Sequence, residues 1–330
     1  MSFRGLKLII RSILVAAVLV AFVGPWAGGA GAEDYPARPI HLIVPYPAGG
    51  ANDIFARLIG QKLNDSLGKP VVIENRAGAS TMIASGFVAK AAPDGYTLLL
   101  NNSTLGITTI LYKTVPYKLD DFTFIAPVAN SPIVLVVTQS SPLHSLTDLV
   151  AAAKAAPGKL NYAATGPGGA THLISEHFNR IFGVRTVEVD YRGAAPLMTD
   201  LLGGQVEFYF EPVNGSMEPI TSGQLRALAV TSEVRLPAAP GVPTFKELGT
   251  PAMTATIAYG IFGPAHLPGD IVAKLNSAIG AAVRSPDVNA RFVAEGDVPM
   301  TAMPAAFAAQ FRANVGFWAD VIKPLNLRLD

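Results

Sequence analysis

Cysteine is absent from the 330-residue chain. Its absence excludes disulfides, thiolate catalysis, cysteine-ligated metal and a lipid-modified cysteine at a signal cleavage point. An excess of one charge is also lacking, because 25 Lys and Arg stand against 24 Asp and Glu, a formal net charge of +1. A balanced chain is not drawn to nucleic acid or to an anionic membrane, and neither is expected as a partner. Long apolar runs are missing too. The stretch from Ser12 to Val23 falls short of the ~20 residues that a membrane span requires.

That stretch has another meaning. Arg4, Lys7 and Arg11 precede it, Gly24 and Pro25 break it, and Ala30-Gly31-Ala32 offers small residues before Glu33. This order is that of a secretory signal peptide, residues 1–32, with cleavage predicted after Ala32. Removal of three basic residues takes the formal charge from +1 to about −2. Roughly 300 residues remain, enough for one large domain or two smaller ones. A secreted chain without disulfides is held by its core, and the expected compartment is the periplasm.

Enzyme templates are equally scarce. There is no Gly-x-Ser-x-Gly elbow, since Gly78-Ala79-Ser80-Thr81-Met82 lacks the final glycine. Gly166 to Thr171 is not followed by Gly-Lys-Ser/Thr, and Thr171 stands where a dinucleotide fingerprint needs its third glycine. His172 and His177 are five apart, off a common helical face, so no zinc site is expected. No cofactor and no metal are expected.

What is present is alternation. Pro39 to Val44 reads as a strand, and Ile54, Leu58, Ile59, Leu63 and Leu67 fall on one helical face. Val71 to Glu74, Thr81 to Ala91 and Tyr96 to Leu100 continue a βαβαβ series, which predicts a parallel sheet. Ile133 to Thr138 is a further strand. A second series then runs from Leu160 to Thr231. Ser232 to Pro251, with four prolines, reads as a surface connection, and Thr256 to Phe262 as a strand. In the final helix Phe307, Phe311, Val315, Trp318 and Ile322 form one apolar stripe suited to packing.

Two loops stand out. Val44-Pro45-Tyr46-Pro47-Ala48-Gly49-Gly50-Ala51-Asn52-Asp53 joins a strand to a helix, and Thr165-Gly166-Pro167-Gly168-Gly169-Ala170-Thr171-His172 does the same later. Each is either an ordinary tight turn or a cradle in which free N–H groups and the helix dipole meet an anion. Matching positions at strand carboxyl ends favour the second reading. Asp53 stabilises the first helical turn or takes a ligand group, and the first role is preferred. His172 lines a cleft or caps its loop. Glu211 is a solvated loop acid or a cleft acceptor, Arg192 a surface residue or the basic group of the cleft, and Tyr46 and Tyr191 are candidate aromatic walls.

Tyr35-Pro36-x-Arg38-Pro39-Ile40, Val44 to Gly50 with Asp53, Val72-Ile73-Glu74-Asn75-Arg76-Ala77-Gly78-Ala79 and Ala91 to Leu98 resemble the Bug/TctC family, the solute-binding receptors of tripartite tricarboxylate transporters. So do Tyr191-Arg192-Gly193, Asp200 to Val206 and Leu225 to Ser232, and the resemblance covers essentially the whole mature chain. It implies an α/β, two-lobed periplasmic binding protein of the Venus-flytrap type, each lobe a central sheet with flanking helices. Lobe 1 is expected at 33–130 plus 256–330 and lobe 2 at 131–255, with crossings near Val128 to Leu135 and Thr256 to Phe262. The implied function is capture of a small carboxylate and delivery to permease subunits, by a monomer that performs no catalysis. Carried over by position, the site is Tyr46, Ala48, Gly49, Gly50, Asn52 and Asp53, then Ser103 and Thr104, then Thr165, Gly168, Gly169, Ala170, Thr171 and His172, with Tyr191, Arg192 and Glu211. Two departures stand out. Gly169-Ala170 follows Gly168 where the family often has a serine, and Phe210-Glu211-Pro212 replaces a common Phe-Asp-Asn. The rival readings are a receptor for a sensor kinase and a periplasmic hydrolase or isomerase using His172 with Glu211.

Overall fold

The computed structural model describes residues 35–166 and 168–330, so the signal peptide and its cleavage point lie outside the described residues. Among the described residues no helix is long and apolar enough to cross a membrane. The elements that follow all belong to Arg38–Asp330. In order they are β1 (Ile40–Val44), α1 (Ala51–Leu67), β2 (Val71–Asn75), α2 (Met82–Ala89), β3 (Thr97–Asn102), α3 (Thr104–Leu111) and β4 (Phe122–Thr138). Next come α4 (Leu146–Ala155), β5 (Asn161–Ala164), α5 (Ala170–Phe182), β6 (Val187–Asp190), α6 (Ala194–Leu202), β7 (Phe208–Pro212), α7 (Val213–Thr221) and β8 (Leu225–Val230). The chain ends with β9 (Thr256–Pro264), α8 (Gly269–Arg284), α9 (Pro286–Ala294), β10 (Val298–Pro299) and α10 (Pro304–Ile322).

The strands are hydrogen-bonded in the order β2-β1-β3-β9-β4-β7-β5-β6, with β8 and β10 also on β4. The expected parallel set is present as β2-β1-β3 and again as β6-β5-β7. The sheet is mixed rather than parallel throughout, because β9 runs antiparallel to β3 and to β4, and β4 runs antiparallel to β7 and β8. β4 is much longer than the Ile133–Thr138 segment its sequence suggests. Its earlier part carries Pro127, Asn130 and Pro132, which weaken a strand pattern. Shifts of register between Phe124 and Ala126 and between Pro127 and Ala129 accommodate them against β9.

β4 divides the pairings into two sets. From Phe122 to Pro132 it pairs with β9, and from Ile133 to Thr138 with β7 and β8. The chain returns to the first set between Val230 and Thr256, earlier than the expected Thr256–Phe262, because β9 pairs throughout with β3 and the first part of β4. Thr231 ties the two passages together and is fully buried. Its N–H donates to Ile133 O at 2.9 Å, and Ala255 N–H donates to Thr231 O at 3.0 Å. Its Oγ1 accepts from Ile133 N–H at 2.8 Å and donates to Ala255 O at 2.7 Å.

Each set has its own apolar core. Ile43, Leu99, Phe124, Phe262, Phe307 and Phe311 cluster about the first part of β4, and Val134, Val136, Leu197, Leu201 and Val206 about its last part. The α10 stripe is buried from Phe307 to Ile322, as its spacing predicts. The proline-rich segment after β8 is more than a surface connection. It buries Phe245 and Met253, and Phe245 stacks on Phe210 with centroids 6.1 Å apart. Burial of aromatics this large contributes on the order of 2–3 kcal/mol each, which is what anchors a segment with so little regular structure.

Candidate functional site

The glycine loop after β1 is organised from beneath by Asp53. Its carboxylate accepts from Gly49 N–H at 3.0 Å, Arg57 Nε at 2.9 Å and Asn75 Nδ2 at 3.0 Å. Asn75 also donates to Tyr46 O at 3.0 Å. The Arg57 hydrogen bond holds the Asp53 carboxyl below its usual range. Asp53 is buried and fully engaged, so the structural reading preferred from the sequence is the one the geometry fits. Gly49 takes φ 90°, a left-handed conformation that a side chain would strain. Helix α1 begins at Ala51, a turn before the apolar periodicity starts. Its N-cap, Gly50, supplies no side-chain hydrogen bond. The N–H groups of Ala51, Asn52 and Asp53 therefore have no partner within the helix.

The second loop is built on the same plan. Gly166 N–H donates to Asp190 Oδ1 at 2.6 Å, Gly168 N–H to His172 Nδ1 at 3.0 Å and Gly169 N–H to Gly166 O at 3.2 Å. Thr171 Oγ1 accepts from Thr165 N–H at 3.3 Å. These bonds use up the loop's own donors. Helix α5 then starts with Gly169 as an N-cap lacking a side-chain bond, which leaves the N–H groups of Ala170, Thr171 and His172. Gly168, at φ 78°, packs under Leu111 and Leu329, with no room for a Cβ.

Both helix starts open on one cleft. A cavity of about 1180 Å³ is bounded by Tyr46, Gly49, Gly50, Ala51, Thr165, Thr171, Tyr191, Arg192 and Glu211. A side chamber of about 380 Å³ shares Tyr46, Thr165 and Thr171 and adds Asn52, Asn102, Thr104, Gly168, Gly169 and Ala170. Tyr46 donates its hydroxyl inward to Asn102 Oδ1 at 3.2 Å and Thr104 Oγ1 at 3.1 Å, and burial pushes its phenol up to about 12. The side chain of Asn52 is buried, and its Oδ1 has no hydrogen-bond partner.

Besides Asp53, three expected residues border neither cavity. Ser103 is buried, donates to Asn314 Oδ1 at 2.6 Å and accepts from Ala258 N–H at 2.9 Å, so its hydroxyl joins α10 and β9 to the core rather than meeting the cleft. His172 is turned inward as a loop support, with Nδ1 on Gly168 and Nε2 3.6 Å from Glu188 Oε2. Among the described residues no hydrogen bond or ion pair joins it to Glu211, which binds Ser216 instead. Ala48 is exposed at the loop tip and bounds neither cavity.

The sequence reading missed one wall. Gly78, Ala79 and Ser80 border the cleft, and Ala79, Ser80 and Thr81 take φ 46°, 47° and 76°. Three successive non-glycine residues in the left-handed region are rare and mark a loop held under constraint. Ser80 Oγ is 2.8 Å from the Tyr112 hydroxyl. The only cue was the glycine at Gly78. Tyr209, Asn214 and Tyr259 also border the cleft and carried no motif signal.

With this geometry in place, the comparisons with known proteins decide the family. The family model described as "Tripartite tricarboxylate transporter family receptor" matches residues 55–327. The chain belongs to this family. Protein BugT of Bordetella pertussis is 38% identical over 97% of this chain and 98% of its own length. Among solved structures, R. palustris Rpa4515 with adipate shares 33% identity with a TM-score of 0.81, covering 88% of this chain and 98% of that one. MatC from Rhodopseudomonas palustris, with bound malate, shares 30% identity with a TM-score of 0.78, covering 87% and 100%. The receptor family and its solved neighbours are periplasmic solute-binding proteins, and the mixed α/β architecture is theirs.

Proposed function

We propose that this receptor captures a small carboxylate between two lobes, residues 33–130 with 256–330 and residues 131–255, and presents it to the membrane permease of a tripartite tricarboxylate transporter. One observation carries the reading. The two helices that open on the cleft both begin at a glycine without a side-chain cap, so their first N–H groups are left for a ligand oxygen. Among the described α-helices only α4 has a side-chain cap, Ser145 Oγ accepting from Asp148 N–H at 3.1 Å, so it is their opening on the cleft, not the missing cap, that makes these two helix starts available to a ligand. A carboxylate at a helix N-terminus gains roughly 0.3–1 kcal/mol from the dipole and about 1.5–3 kcal/mol for each charge-assisted hydrogen bond. The adipate and malate of the two solved neighbours agree with a carboxylate ligand. Thr231 and the adjoining passages supply the hinge about which the lobes close.

A thermal-shift screen of the mature protein against mono-, di- and amino-carboxylic acids tests this. A bound acid at about 100 times its Kd stabilises by about 2.7 kcal/mol. The expected result is a raised Tm with the acid recovered unchanged. Conversion of the acid, or stabilisation by uncharged solutes only, would overturn the reading.

A further inference from the structure

Glu211 closes the cleft on the β7 side. It is 4% exposed, and its Oε2 accepts from Ser216 Oγ at 2.5 Å. Its Oε1 has no hydrogen-bond partner among the described residues, and no Lys or Arg pairs with it. Gly215 opposite makes room for this carboxyl, because a Cβ there would collide with Oε1. The other acids at the cleft are already engaged. Asp190 Oδ1 holds Gly166 N–H, and Glu295 pairs with Arg291 at 2.6 Å. Glu211 is thus a buried acid on the wall of a ligand space, with no ion-pair partner among the described residues, and the cleft's one basic side chain, Arg192, stands exposed.

A buried carboxylate without a countercharge is costly, and it is stabilised by an ion that arrives with the ligand. We infer that Glu211 is the receptor's selector for an amine, so that the ligand is an amino-carboxylic acid whose ammonium meets Glu211 while its carboxylate lies on the helix starts. This rests on carboxylate capture by the glycine loops as proposed above. A ligand hydroxyl also reaches a carboxylate, but it leaves the buried charge uncompensated.

The same geometry sets a pH signature. In the empty cleft, burial pushes the Glu211 carboxyl up to about 7, against the opposing Ser216 hydrogen bond. An ammonium favours the ionised form, so affinity for an amino acid rises with pH through this range and levels off above it. A plain diacid favours protonated Glu211, and its affinity falls over the same range. The titratable and charged groups that border the same cavity as Glu211 are Tyr209 on its own strand, Tyr46, Tyr191 and Tyr259, and Asp190, Arg192 and Glu295. Asp297, which burial also raises to about 7, lies behind Asn214 and accepts from its Nδ2 at 3.3 Å.

The experiment is calorimetry of the full mature receptor against a panel of acids taken in pairs with and without an amine, such as aspartate with succinate and glutamate with glutarate. The measurements run from about pH 6 to about pH 8, spanning the ordinary histidine range. The amine-bearing member of the best-bound pair is expected to bind at least ~10-fold tighter, with affinity rising with pH. Glu211→Gln is expected to abolish both the preference and the slope, whereas Asp297→Asn leaves the preference in place. Equal or tighter binding of the amine-free acid, or affinity that falls with pH, overturns the amine assignment and leaves carboxylate capture standing. Binding by no member of the panel overturns both. A Glu211→Gln protein with a parental melting profile excludes misfolding as the cause of a lost preference.

Discussion

Replacement of Ala51 by proline isolates the donors at the start of α1. Ala51 is the first helical residue, a position whose N–H makes no intrahelical bond and where proline is well tolerated. The preceding Gly50 sits at φ −84°, ψ 170°, the extended conformation that a following proline demands. Ala51→Pro therefore removes one cleft-facing N–H and leaves the helix intact. If that N–H donates to a ligand carboxylate, its loss costs about 1.5–3 kcal/mol. That is a rise in Kd of roughly 10- to 150-fold. Stability should be unchanged or higher by about 0.4–1 kcal/mol, because proline restricts the unfolded chain. Calorimetry with the best-bound acid reads the first quantity and thermal unfolding the second. Ala51→Gly, which keeps the N–H, should bind within about twofold of the parent on the same hydrogen-bond argument. A proline variant that is folded and binds as tightly as the parent would refute the placement of the carboxylate on α1.

Other perturbations address the supports of the site. Thr231→Val strands the Ile133 N–H and the Ala255 carbonyl and should lower stability by about 1–3 kcal/mol, with Thr231→Ser restoring most of it in denaturant titrations. Asp53→Asn should destabilise the protein at neutral pH. Asp53 has a depressed folded-state pKa, so its contribution is present above the unfolded carboxylate range near ~3.9 and is lost as pH falls through the folded value. The gap between parent and variant in Tm should accordingly close in strong acid. Gly168→Ala places a side chain at φ 78° and against Leu111, and a cost of roughly 2–4 kcal/mol should appear as a lowered Tm with weakened acid binding.

The legible parts of this chain were those in which one local rule governs a segment. Apolar periodicity located α1 and the α10 stripe, and glycine at a strand-to-helix junction located both cleft loops. The start of α1 was read late because Ala51, Asn52 and Asp53 carry no apolar repeat, although Gly50 and Asp53 make them a first turn. Helix α3 escaped notice because Gly106, Ile107, Thr108, Thr109 and Ile110 are poor helix formers. Its close packing on Val315 of α10 overrides that preference. Ser103 was read as a ligand hydroxyl because its partners, Ala258 and Asn314, lie far along the chain and leave no local trace. The burial of Glu211 has the same origin, since it depends on Gly215 and Ser216 folding back over β7.

The length of β4 also sets the order of events during synthesis. Half of its pairing belongs to β9, and Thr123 Oγ1 donates to Pro264 O, 141 positions further on. Loop closure over such a span is slow, and it cannot begin until the later strand exists. The first set of pairings therefore stays incomplete until most of the chain has been made, and that part of the sheet cannot close before β9 exists. A chain ending at residue 255 should accordingly be cut at sites in 38–130 that protease cannot reach in the whole protein. A centrepiece strand completed last is a built-in delay.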